Sequence, residues 1–171
     1  MRHGAICYNV VTFGPLAADK MEETSRNRVK IAFPLSRDAD DYPPADREHL
    51  WAISRGDRYE IDNIPFFVKG VSAGDLVAAH KDGEQLIFDR VLDFGGHSTV
   101  RVVMYDLTQK EAIRSKLAQL GCESEGSHLP KLFAVDVPPT VNYAEVIALL
   151  AEKADKDILD YEEASIQHRL H

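Results

Sequence analysis

The side chains best suited to chemistry lie in one short run, His97-Ser98-Thr99, with Asp62, Asn63 and His80 as companions from elsewhere in the chain. Ser98 could act as a nucleophile, His97 or His80 as its base, and Asp62 as the carboxylate that orients the imidazole. His97, Ser98 and Asp62 are therefore the candidate catalytic residues. The local context argues against hydrolysis, because no G-x-S-x-G pattern surrounds Ser98. GGHST reads more simply as a connection in which Ser or Thr caps free backbone groups and His fastens the loop.

Other chemistries fare worse. His80, His97, His128 and His168 stand singly, without the i, i+4 partner that would place two ligands on one helix face. Asp38, Asp40 and Asp41 resemble the start of a calcium loop, but its glycine and its distal bidentate Glu are missing. Gly70, Gly74 and Gly83 are scattered turn residues, with no G-x-x-x-x-G-K-[ST] phosphate loop. No metal and no cofactor is expected.

Charge gives a different lead. The net charge is −8, and between Gly121 and His171 ten acidic side chains face four basic ones. Such a field repels nucleic acid and speeds encounter with a basic protein. Two segments carry acidic clusters, Glu123 and Glu125 in CESEGS, then Asp160, Glu162 and Glu163 in ILDYEEASI. These five, with Tyr161 as an apolar anchor, form the candidate partner-binding set. The plainer explanation is edge protection, since charges on an edge strand discourage pairing with another chain.

The elements that must position these residues are readable from periodicity. VKIAFPLS, LWAIS, YEIDNI, LVAAH and QLIFDRVLDF read as strands separated by turns at Arg55-Gly56-Asp57 and Lys81-Asp82-Gly83-Glu84. So many short strands with no helix between them predict a small, partly open β-barrel-like half over residues 29–95. From residue 97 to 168 the pattern changes. TVRVVMYDL, LTQKEAIRSKLAQLG, CESEGS, KLFAVDVP, VNYAEVIALLAEKADK and ILDYEEASI read as strand, helix, strand, strand, helix, strand. That order is the split βαβ, or ferredoxin-like, plan, so the chain is expected to be α+β. Thr108 with Glu111 predicts a capping box at the first helix, and Asn142 with Glu145 a start for the second. Asn63, Phe66, Phe67 and His80 are placed at a pocket on the seam between the halves. Residues 1–28 read as a flexible leader.

The segments YEIDNIPFFVKGVSAGDLVAA, GHSTVRVV, GCESEG and LFAVDVPP together resemble a bacterial family known as domain of unknown function 4265, over roughly residues 29–165. The resemblance implies domain limits and no activity.

With two widely spaced cysteines, Cys7 and Cys122, no disulfide scaffold is signalled, and no window has the apolar length of a membrane span. A cytoplasmic protein, monomeric or weakly dimeric, is expected. The leading functional expectation is a non-enzymatic acidic binder, an immunity protein that neutralises a basic toxin such as a nuclease. That expectation rests on size and charge. The alternative is a small-ligand-binding protein or hydrolase with its pocket at the seam.

Overall fold

The computed structural model describes residues 27–39 and 42–169. Most of the expected leader, and Asp40 and Asp41 of the acidic cluster, lie outside the described residues. The fold is mixed α+β, with nine strands in two sheets and two helices among the described residues.

The first sheet contains β1 (Arg28–Pro34), β2 (Arg47–Arg55), β3 (Arg58–Ile61), β4 (Leu76–Asp82) and β5 (Gln85–Asp93). Each strand pairs antiparallel with the next, and β1 also meets β5 in parallel through Ile31↔Leu86 and Ala32↔Ile87. The pairings therefore run in a ring. Period-two alternation sends Ile31 and Phe33 inward, where they join Leu50, Ala52, Ile61 and Val77 in a shared core. The β4–β5 hairpin turns at Asp82-Gly83, and Gly83 takes φ +59°, a left-handed conformation that glycine adopts without the Cβ clash.

The second sheet contains β6 (Ser98–Met104), β7 (Glu123–Gly126), β8 (Leu132–Val137) and β9 (Leu159–Ser165), in the order β7-β8-β6-β9. All of its pairings are antiparallel. Helices α1 (Lys110–Gln119) and α2 (Tyr143–Ala154) cover one face. Ile113 and Leu117 from α1, and Tyr143, Val146 and Leu150 from α2, pack on Val100, Val102, Met104, Phe133 and Val135. Burying each such side chain stabilises the fold by about 1.5–3 kcal/mol. No helix among the described residues is long and apolar enough to cross a membrane.

The helix starts differ from one another. Asn142 caps α2 as expected, accepting from the Ala144 N–H at 3.2 Å while its own amide donates to Glu145. The Thr108–Glu111 box does not form. A short 3₁₀ turn, Leu107–Gln109, precedes α1, and its cap is Asp106, which accepts from the Thr108 N–H at 3.0 Å and the Thr108 hydroxyl at 2.6 Å. Glu111 instead faces Arg114 one turn on. A stronger acceptor two residues upstream takes the role predicted for Thr108.

The face of the second sheet that carries Thr99 and Arg101 meets the first half through the loop between β3 and β4. The loop from Asp62 to Asp75 fills the joint. The Gly70 N–H donates to the Ala164 carbonyl at 3.0 Å, and the Thr99 hydroxyl donates to Ser72 Oγ at 2.9 Å. Buried Asp75 accepts from the backbone of Ser72 and Gly95 and from the Gln167 amide, tying both halves to the C-terminal segment. Gly95 is required by close approach, because a Cβ there would stand 2.7 Å from the Gly74 carbonyl group.

Candidate functional site

The proposed nucleophile has a different partner from the one expected. Ser98 is fully buried, and its hydroxyl meets Nδ1 of His168 at 2.7 Å rather than His97 or His80. His168 Nε2 lies 3.0 Å from the Pro138 carbonyl. A ring that donates there presents a bare Nδ1 to accept the Ser98 O–H. Ser98 Oγ also accepts from the backbone of Gln167 and His168. The serine is thus a clasp for the segment after β9. It is closed to substrate.

His97 lies instead against Asp136, Nδ1 to Oδ2 at 2.8 Å. Burial raises the Asp136 carboxyl above its ordinary range, and the His97 contact opposes that rise. Asp62 is bound to Arg28 at 2.8 Å and orients no histidine. The expected triad of Ser98, His97 and Asp62 is therefore not assembled. His80, near the tip of the β4–β5 hairpin, is exposed and faces Asp89 at 2.5 Å, so it does not belong to the seam. Cys122 is buried, and burial followed by the nearby Asp136 charge pushes its thiol up to about 11, which leaves it inert. Among the described residues no group of three or more His, Cys, Asp or Glu side chains could hold a metal ion.

The partner-binding set does not form one surface. Glu162 and Glu163 are adjacent on β9 and point to opposite faces of the sheet. Glu163 lies on the helix side, where the Tyr143 hydroxyl donates to it at 2.7 Å. Tyr161 shares that side and packs against the core beneath α2. Glu162 lies on the other face, between Lys69 at 2.6 Å and Arg101 at 3.0 Å. Burial alone would raise its carboxyl, but the two cations outweigh it and hold Glu162 below the usual carboxylate range. Glu125 is also engaged. Loss of water around its carboxyl pushes it up, while the Ile64 backbone N–H and the Arg28 charge oppose the shift. Glu123 and Asp160 stay exposed at opposite edges of the sheet.

The seam itself holds a cavity of about 440 Å³. Its walls come from the end of β1 (Phe33, Pro34), the following loop (Leu35, Tyr42, Pro43), β5 (Phe88, Val91) and the loop Phe67–Val71. Phe33 and Phe88 stack with centroids 4.4 Å apart, and Tyr42 meets Phe67 edge-on at 6.0 Å. Of the residues expected at the seam, Phe67 lines this space. Asn63 does not line it and instead accepts from the Trp51 N–H at 2.7 Å.

Glu48 on β2 builds the cavity's inner loop. Its carboxylate accepts from three successive backbone N–H groups, of Phe66 at 2.7 Å, Phe67 at 2.8 Å and Val68 at 2.9 Å. That grip turns the Val68 carbonyl toward Arg101 of β6, whose Nη2 donates to it. We expect Glu48→Ala to lower unfolding free energy by about 2–3 kcal/mol, read by urea denaturation, because partly buried donors lose a charged acceptor. A loss near zero would show that water replaces the carboxylate without cost.

Arg101 is the functional candidate that sequence reasoning missed. It is only 3% exposed, it lines the cavity, and its Nε is a buried polar atom without a hydrogen-bond partner. The signal was present, an arginine inside the apolar run TVRVVM. A cation buried in mid-strand demands partners, and Arg101 finds them for Nη1 and Nη2 but not for Nε.

The family model described as Domain of unknown function (DUF4265) matches residues 48–161. Among solved structures the chain is similar to a hypothetical protein from Neisseria gonorrhoeae, with TM-score 0.69 and 20% identity over 82% of this chain and 94% of that one. At that identity the likeness concerns the fold alone. Comparison with curated proteins found no match.

Proposed function

The chain belongs to this family, whose description carries no activity, and from its own geometry we propose that it binds a small molecule in the seam cavity. The observation that carries the reading is Arg101, a nearly fully buried guanidinium that lines a largely apolar cavity and whose Nε has no hydrogen-bond partner. Cavities of this size with apolar walls and a few placed polar groups are the usual form of ligand sites. We read the supporting scaffold as a small barrel joined to a ferredoxin-like layer, with the ligand held where the two meet.

Hydrolysis finds less support, since Ser98 is buried and tied to a histidine whose other nitrogen is occupied. The reading as an acidic binder, an immunity protein against a basic toxin, keeps the net charge of −8 in its favour. It loses its proposed anchors, because Glu162, Glu163 and Tyr161 are engaged within the chain.

The test is a thermal-shift screen of apolar small molecules against the wild-type chain and against Val91→Trp, whose added ring would fill the cavity. At about a hundredfold excess over Kd, a true ligand raises the wild-type Tm by roughly 5 °C or more. The same compound should leave Val91→Trp unmoved. Equal shifts in both proteins, or no shift from any compound, would reject the cavity as the functional site. Loss of a captured basic protein on Glu123→Lys with Asp160→Lys would favour the acidic binder instead.

A further inference from the structure

The second sheet covers its two faces unequally. Helices α1 and α2 pack on one side, while the loop between β3 and β4 reaches only part of the other. Val103 and Leu132, paired in the β6–β8 ladder, are left as the floor of an open groove of about 540 Å³. Leu107, Leu129, Pro130 and Tyr42 supply its walls. Val103, Leu107, Leu129 and Tyr42 are four of the nine large apolar side chains exposed among the described residues. Scattered singly they would need no explanation, but gathered around one groove they mark an interaction surface. The groove shares only Tyr42 with the seam cavity, so its occupant is independent of a ligand there. We propose that it receives an amphipathic helix of a partner protein, whose polar face is acidic where it passes Lys131 and Lys110.

The backbone of the floor decides between a helix and an extended segment. Val103 pairs with Leu132 on one side and with Asp160 on the other, so its strand offers no free edge. An extended segment laid there would bury its own unpaired N–H and C=O groups. A helix satisfies those groups internally and presents only side chains, as α1 and α2 do on the opposite face.

Charge sets the partner's polar face and its direction. Lys131 is the one charged residue in the lining, and its ammonium has no partner among the described residues. Lys110 stands beside it, donating one N–H to the Pro130 carbonyl at 2.7 Å and meeting no carboxylate. On the far flank Asp160 is exposed and spends one oxygen on the Tyr161 N–H at 2.8 Å. The partner's acidic side chains therefore lie toward β8 and away from β9. The chain's net charge of −8 disfavours an acidic partner at long range. The two lysines thus choose the orientation, while the apolar floor and walls supply the affinity.

The probes are labelled synthetic peptides of about 18 residues, long enough to hold a helix, with leucines at i, i+3, i+4 and i+7. Their polar positions carry Glu in one, Gln in the second and Lys in the third. Binding to the full chain is read by fluorescence anisotropy at about 0.15 M salt, where charges beyond roughly 8 Å are screened. The Glu peptide should bind severalfold more tightly than the Lys peptide, with the Gln peptide between them. Lys131→Glu should reverse that order. Leu129→Asp, at an exposed loop position, should weaken all three about tenfold while the melting temperature holds. The Glu peptide with central prolines cannot form the helix and should not bind. Equal affinity for the Glu and Lys peptides, or an order that ignores Lys131→Glu, overturns the acidic assignment. Binding of the proline peptide overturns the helix. Binding that survives Leu129→Asp, or no binding by any peptide, overturns the groove as a docking site.

Discussion

Arg101→Met is expected to lower unfolding free energy by about 2–3 kcal/mol. Methionine has nearly the reach of arginine and fills the space with apolar atoms, so the loss comes from hydrogen bonds rather than from a void. The Val68 carbonyl loses its guanidinium donor, and a buried unpartnered acceptor costs most of that amount. Glu162 keeps Lys69, so no charge is left isolated. The pH profile should change as well. Glu162 is held below its ordinary range in the folded chain, so its contribution to stability is present above that range and fades as pH falls through it. Without Arg101 the folded and unfolded values draw together, and the acid-side fall in stability should flatten. Urea denaturation across the acid range reads both effects. An unchanged midpoint at neutral pH would mean that the Arg101–Val68 contact adds nothing to the fold.

Phe33→Ala should be costlier, about 4 kcal/mol by the same measurement. Phe33 is 1% exposed, it belongs to the core of the first sheet, and its ring stacks on Phe88. Truncation removes a buried aromatic ring and opens a void continuous with the seam cavity. Against a total stability of roughly 5–15 kcal/mol for a domain, that is a large share. Because the void is apolar, a small aromatic such as benzene should recover part of the lost Tm in the variant and raise the Tm of the wild type by less. A cost below about 1 kcal/mol would show that the surrounding strands collapse into the space.

These two residues mark the limits of what the sequence makes legible. The hairpin at Asp82-Gly83 rests on a local preference, and it forms where the residues ask for it. The nine strands, and the two helices with their apolar stripes, follow from periodicities of two and 3.6, which are local as well. The site depends on long-range register. His80 resembled a seam residue because it lies near seam segments in the sequence, yet the pairing of β4 with β5 carries it to an exposed position beside Asp89. Ser98 finds His168, seventy positions away, and no spacing rule reaches that far.

The grouping of Glu162 with Glu163 overlooked a signal that was present. Neighbours on a strand face opposite sides, so the pair could not share one docking surface. Arg101 was legible in the same way, as the one cation inside a buried strand. Its partners were not, since the Val68 carbonyl is aimed by Glu48 from another strand of the other sheet.

The central claim is that a ligand sits at the seam rather than a protein on the acidic edges. Its most direct test is a methyl NMR titration of the full chain with the compound that gives the largest shift in the thermal-shift screen. The account predicts shifts confined to Leu35, Val68, Val71 and Val91, saturating together with a single Kd. Shifts scattered over the surface without saturation, or none at those four residues, would contradict it.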